Sequence, residues 1–370
     1  MADKPPISHL MPGEAKGEAP SRASLYRKVL LGMVTGGIFA LIFAKVIPAL
    51  GSYSDIWEQI KATPVWELVA LLAIAVVILV LATAMMVLPV RGIGAWRAFF
   101  TQQASTAISF TIPGPSGTGA RFVMLRSYGV DVEDFSRGTV AVSIWNNLAM
   151  LSMPGVAVLL IAAFGDQTGA SDSLFLWGLL AVGVTLALIM LLIGVLRSVH
   201  FASWLGRVSM SATNLLLRLF RKSPVAGWPE AAVTLRANTV VVLKARGGRL
   251  TWLTLSNYWI NGILLVLCLR LVGIDSSVLP WGVALATYTV GRLSTVIQVT
   301  PGGVGVVEAA YTAAFVAVTS SSLQPTILAG VLIYRAYTYL LPVVVGAFCY
   351  LAWRMDKGRQ PITETPASGA

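Results

Sequence analysis

Apolar residues run along this chain in blocks too long for a soluble fold and without the two-residue alternation of exposed strands. A bilayer core about 30 Å thick needs roughly 20 mostly apolar residues per helical crossing, and blocks of that length cover 29–50, 65–90, 138–164, 174–196, 252–272 and 326–353. These predict six full crossings. Two further apolar stretches, 96–112 and 279–299, each run into a Pro-Gly break and continue as a shorter apolar piece. The expected fold is therefore an all-α polytopic membrane protein with about six full transmembrane helices and two Pro-Gly-broken re-entrant hairpins.

Punctuation residues show an internal repeat. A shift of 188 residues lays Pro113 on Pro301, Gly114 on Gly302, Gly117 on Gly305 and Pro154 on Pro342 without a gap. Each half reads as span, broken segment, span, over roughly 65–164 and 253–352. The polar segments between spans then give orientation. Of the 27 Lys and Arg, 22 fall in segments 1–28, 91–97, 121–137, 197–249 and 354–370, whereas the alternate segments 51–64, 165–173, 273–278 and 319–325 hold only Lys61. By the positive-inside pattern both termini are cytoplasmic, and the two halves point in opposite directions. Inverted repeats with Gly/Pro-interrupted segments at matching places point to a transport site near the midplane. The plainer alternative is that each Pro-Gly only ends one helix and starts another near an interface.

Composition supports the same class. Apolar residues make up 56% and charged residues 12% of the 370, with a mean hydropathy of +0.77, against about 25% charged in soluble domains. The net charge of +11 is a topology signal with anionic inner-leaflet lipid as its partner, and no nucleic-acid partner is expected. Residues 1–24 read as a disordered cytoplasmic tail, 25–355 as one transmembrane domain, and 356–370 as a second cytoplasmic tail. The linker 197–249 carries two stretches with apolar and basic faces, which read as helices lying in the membrane interface.

Charges at membrane depth are the sharpest functional signal, because an ionised group in hydrocarbon is costly unless it faces protein or water. Arg335 lies ten residues past Pro325, Arg292 lies inside the second broken segment, and Glu308 follows its Pro301-Gly302-Gly303-Val-Gly305 break. A structural Glu308–Arg335 ion pair is the alternative to a site. Arg270 and Lys45 lie near span ends and are set aside as snorkelling. Shifted by the repeat, Arg335 falls on Asn147, beside Asn146, and amides in mid-span either bond between helices or line a cavity. Gly114-Pro-Ser-Gly-Thr-Gly119 has the small residues of a phosphate cradle, without the Lys-Ser/Thr ending of a nucleotide-binding loop.

Enzymatic signals are thin. His9 and His200 are the only histidines, and Cys268 and Cys349 the only cysteines, each of the latter within an apolar span, so no catalytic residue, metal ligand set or cofactor is expected. One acidic group, Asp131, Glu133 and Asp134, offers a rival reading as the Mg²⁺ ligands of an enzyme acting on lipid-linked substrates. An accessory or scaffold role in envelope synthesis is a third.

Two segments, Thr300-Pro-Gly-Gly-Val-Gly-Val-Val-Glu-Ala309 and Leu332-Ile-Tyr-Arg-Ala-Tyr-Thr-Tyr-Leu-Leu-Pro342, resemble the lysylphosphatidylglycerol synthase transmembrane-region, or flippase-like, family over roughly residues 25–355. Pro301, Gly302, Gly303, Gly305, Glu308, Tyr334, Arg335 and Pro342 match its second-half pattern. The first half departs from it, with Pro113-Gly-Pro-Ser-Gly-Thr-Gly-Ala-Arg121 and Trp145-Asn-Asn147 where relatives carry further charges. The resemblance implies the part that moves a lipid between leaflets, and no synthase domain follows before Ala370. The expected function is a lipid flippase or transporter of a bacterial plasma membrane, taking a phospholipid or lipid-linked headgroup. Its substrate-binding residues would be Arg335, Arg292, Glu308, Tyr334, Asn146, Asn147 and Arg121, with breaks at Pro113, Gly114, Gly117, Pro301, Gly302, Gly303 and Gly305. A homo-oligomer or an envelope-synthesis complex is a further expected form.

Overall fold

A computed structural model describes residues 64–356 and 358, apart from 89, 91, 113–115, 165–171, 220–222 and 297–299. The expected crossing at 29–50 lies outside them, as do the N-terminal tail and nearly all of the C-terminal one. Every regular element among the described residues is helical.

Helix α1, Val65–Val87, has 23 residues, about 35 Å at 1.5 Å per residue and enough to cross the hydrocarbon core. Its exposed Val69, Leu72, Val76 and Val80 are suited to acyl chains. Helix α2, Ala95–Thr111, and α3, Ser116–Arg126, fold back on one another. Gly117 permits that return, since a Cβ there would sit 1.8 Å from the Ser109 hydroxyl. Next come α4, Val132–Phe164, and α5, Asp172–Arg197.

After α5 the chain bends by 117° into α6, Val199–Leu219, and then enters α7, Trp228–Leu271. At 44 residues, α7 is about 66 Å long, twice the hydrocarbon thickness. The linker expectation is therefore half corrected. Residues 199–219 form a separate amphipathic helix, but the second basic stretch is the first half of a rod that continues into the 252–272 span. Gly247 and Gly248 cost roughly 1 kcal/mol each in a helix interior and do not interrupt it. Gly206 lets α6 lie against the start of α7, where a Cβ would meet the Trp228 carbonyl at 2.7 Å.

The second half repeats the first. Helix α8, Trp281–Arg292, runs into short 3-10 turns at Leu293–Val296 and Pro301–Gly303, and α9, Val306–Val318, returns against it. Helix α10, Gln324–Arg335, passes through a π-turn, Ala336–Leu340, into α11, Leu341–Met355. Pro342 explains the wide turn. A proline removes one backbone donor and crowds the carbonyl four residues earlier, and a π-turn relieves that crowding without breaking the rod.

Helix α2 corresponds to α8, α3 to α9, and α4 to the α10–α11 rod. Each half's hairpin packs on the other half's last span, α2 along α11 and α8 along α4, while α1 lies against α7. Gly346 makes the first contact close, since a Cβ there would fall 2.3 Å from the Gln103 carbonyl. The second half supplies most of the core, with Leu264, Leu265, Tyr288, Tyr311, Phe315, Ile327 and Val331 buried.

Four described segments are long and apolar enough to cross a membrane: Val65–Val87, Trp228–Leu271, Pro301–Val318 and Ser321–Met355. A bent pair, Val182–Arg197 with Val199–Leu215, makes five if counted as one span. The described residues thus hold four to five candidate spans, and the expected crossing at 29–50 lies outside that count. The halves also differ in one respect: the returning arm of the first hairpin has 11 residues and two arginines, whereas Pro301–Val318 has neither Arg nor Lys and is 18 residues long.

Candidate functional site at the junction of the halves

A cavity of about 600 Å³ opens where the two hairpins meet the facing spans. Its wall draws on helices α1, α2, α3 and α4 and on α7 to α11 with the Pro301–Gly303 turn. Arg121, Asn146, Asn147, Arg292, Tyr334 and Arg335, scattered over 215 positions of sequence, all reach its wall, as do Gly117, Gly302 and Gly303. Asn147 and Arg335, equivalent by the 188-residue shift, are both among them.

Arg335 ends α10, about 17 Å from the helix start. Its Nε donates to Glu308 Oε1 at 2.7 Å and its Nη2 to the Gly302 carbonyl at 2.9 Å. The other carboxylate oxygen of Glu308 accepts the Gly305 N–H at 2.6 Å. Glu308 is thus committed on both oxygens, and its side chain is 4% exposed. This pair holds the second hairpin tip. Gly302 sits there at φ +60°, where a Cβ would strike the Tyr339 ring at 2.1 Å. Tyr339 also receives the Arg335 guanidinium over its face at 4.7 Å and stacks on Phe110, at the end of α2, with ring centroids 5.3 Å apart. One tyrosine therefore touches both hairpin tips.

Arg121 is buried, and its guanidinium meets only neutral acceptors. Nη1 donates to Gln102 Oε1 at 3.1 Å and Nη2 to the Thr139 hydroxyl at 3.4 Å. Arg292 is partly buried, within electrostatic reach of Tyr258, Tyr288, Tyr311 and Tyr334. These rings pack in series, Tyr258 on Tyr288, Tyr288 on Tyr311 and Tyr311 on Tyr334, with centroids 5.3 to 6.0 Å apart. Among the described residues neither Arg121 nor Arg292 has a carboxylate partner.

Other expectations shift. Pro113 and Gly114 lie outside the described residues, and Pro301 and Gly305 shape the second tip without reaching the cavity wall. The phosphate-cradle reading of 114–119 falls on described residues only from Ser116 onward. Ser116 to Gly119 form the first turn of α3, and Gly117 is small because Ser105 and Ser109 crowd it. Arg270 caps carbonyls, donating to those of Ile274 and Leu279, with its guanidinium over Trp281. Glu133 of the acidic loop pairs with Arg137, and the described residues contain no cluster of three or more His, Cys, Asp or Glu side chains.

Neutral polar residues were the part that charge-based reasoning missed. Gln102, Gln103, Ser105, Thr106 and Ser109 from α2, and Asn257 and Asn261 from α7, line the same cavity. The polar run from Thr101 to Thr106 inside an otherwise apolar segment was the available signal.

A helical bundle of membrane-crossing length, folded from two like halves around a polar, arginine-bearing cavity, defines a polytopic integral membrane protein. Residues 29–346 match the lysylphosphatidylglycerol synthase transmembrane region family, and the chain belongs to it. That membership associates it with lipid-related processes of the cell envelope. No curated protein matches the chain significantly.

Proposed function

We propose that this protein moves a phospholipid or lipid-linked headgroup between leaflets of a bacterial plasma membrane, with both termini in the cytoplasm. The observation that carries the reading is the cavity shared by both halves, bounded by two hairpin tips and holding three arginines. Stripping water from a charged headgroup in hydrocarbon costs tens of kcal/mol by a Born estimate, and fixed guanidiniums and amides offset that cost. The acyl chains stay in lipid beside exposed apolar faces such as that of α1. Helix α6 lies in the interface over anionic inner-leaflet lipid, with exposed Trp204, Val208 and Leu215 in the acyl boundary.

The test is leaflet exchange. Purified protein in liposomes should speed exchange of a fluorescent anionic phospholipid without ATP, followed by quenching of outer-leaflet dye. Arg121→Gln removes a cavity charge without disturbing the Glu308–Arg335 brace and should slow exchange by about tenfold, the worth of one charged hydrogen bond. Arg207→Gln, at an exposed site on α6, should leave the rate near wild type. Liposomes that exchange lipids no faster with protein than without it, under any pH gradient or potential, would refute the reading.

A further inference from the structure

The charge around the cavity is unbalanced in a way that names a headgroup. Among the described residues three guanidiniums line it and no carboxylate does. The nearest acid is Glu308, whose oxygens are taken by Arg335 Nε and by the Gly305 N–H. Glu308 thus offsets the charge of Arg335 and offers no oxygen to a ligand. Arg121 spends its hydrogen bonds on an amide and a hydroxyl, and the neighbours that Arg292 feels electrostatically are tyrosines. Among the described residues two positive charges are left uncompensated.

We infer that the cavity takes a dianionic phosphate headgroup on a lipid, a phosphate monoester or a diphosphate, and discriminates against cationic aminoacylated headgroups. This rests on the translocation reading above. A doubly charged phosphate matches Arg121 and Arg292, whereas a singly charged diester leaves one of them unpaired. An ammonium-bearing headgroup would bring a like charge among guanidiniums and find no acceptor carboxylate. The phosphate's other oxygens meet neutral donors, from the amides of Asn146, Asn147 and Gln102. Guanidinium forks suit this task because they donate two parallel bonds to one phosphate. A volume of about 600 Å³ lies within the usual range of small-ligand sites and accommodates a headgroup.

Full-length protein in phosphatidylcholine nanodiscs should be titrated with phosphatidic acid, phosphatidylglycerol, lysylphosphatidylglycerol and inorganic pyrophosphate, with binding read from tryptophan fluorescence at pH 8. Phosphatidic acid should bind at least about tenfold more tightly than phosphatidylglycerol, the difference of one charged hydrogen bond, and lysylphosphatidylglycerol should bind most weakly. Pyrophosphate should compete but more weakly than the lipid; equal affinity would overturn the lipid-borne assignment. Asn147→Asp places a carboxylate on the wall at an exposed position, where the fold tolerates it. It should weaken phosphatidic acid by about tenfold and narrow the gap to lysylphosphatidylglycerol. Equal or tighter binding of lysylphosphatidylglycerol by the wild type, or an Asn147→Asp variant with unchanged preferences, would overturn the inference. The two proposals fail separately. If the binding order holds while no lipid exchanges in liposomes, translocation falls and the headgroup assignment stands; if exchange occurs with the order inverted, the reverse follows.

Discussion

Replacing Glu308 by Gln probes the brace at the second hairpin tip. The carboxylate serves two donors through separate oxygens, Arg335 Nε at 2.7 Å and Gly305 N–H at 2.6 Å. Glutamine keeps the volume but presents one oxygen and one NH₂, so one of those contacts becomes donor against donor. Arg335 also loses its counter-charge at a site where the two side chains are 12% and 4% exposed. Breaking one partner of a buried pair costs about 3–5 kcal/mol, whereas exposed pairs are worth about 0–1 kcal/mol. Unfolding in mixed SDS micelles, followed by circular dichroism, should place Glu308→Gln in the higher range. The double variant Glu308→Gln/Arg335→Gln replaces the charged pair by two amides that can bond to each other, so it should be less destabilised than the sum of the single variants. Coupling on the order of 2 kcal/mol is expected for residues in direct contact. A Glu308→Gln loss below about 1 kcal/mol, or strict additivity in the cycle, would refute the brace.

Glycine substitutions separate tight approaches from open ones. Gly302→Ala should lower the detergent melting temperature, since the residue combines a positive φ with the Tyr339 ring at 2.1 Å, while Gly119→Ala, with nothing within 4 Å, should be neutral or slightly stabilising. Gly346→Ala should cost about 1–3 kcal/mol by overpacking α11 against α2, measured by the same SDS unfolding. At the end of α11, the Gly358 N–H, a hydrogen bond from Tyr128 and the Arg97 guanidinium hold the Asp356 carboxyl below the usual carboxylate range. A depressed folded value means that its stabilisation is present above the ordinary range near pH 4 and is lost as pH falls through the folded value. The difference in melting temperature between wild type and Asp356→Asn should accordingly vanish on acidification from about pH 5 to 2. Orientation is tested in intact cells with single cysteines in a variant lacking Cys268 and Cys349. Ser321→Cys should react with an impermeant thiol reagent and Ala226→Cys should not.

The long helices were legible because bilayer-length apolar runs have few other solutions, and the repeat because Pro and Gly mark backbone breaks whatever surrounds them. The limits of α7 were not legible. Arg236, Lys244, Arg246 and Arg249 look like a boundary to a reader of charge, yet helix hydrogen bonds continue through them where no proline intervenes. Arg121, Arg292, Arg335 and Glu308 stood out because ionised groups are rare in apolar sequence. Their division of labour did not, since only the folded tip shows that Glu308 is occupied by Gly305 and Arg335. Gln102, Gln103 and Asn261 carry no charge, and their convergence depends on hairpins folding back across a break that pattern alone leaves at several angles.

The π-turn at Ala336–Leu340 has a mechanical consequence. A π-turn holds one residue more than an α-turn of the same hydrogen-bonded ladder, so the α10–α11 rod stores a surplus residue between Arg335 and Pro342. Each residue that this surplus passes is rotated by about 100° and displaced by about 1.5 Å along the axis, one hydrogen bond exchanged for its neighbour at each step. A rod built this way has slack in register. Passing the surplus beyond Arg335 would turn that residue relative to Gly346, and so one wall of the cavity relative to the helix it leans on.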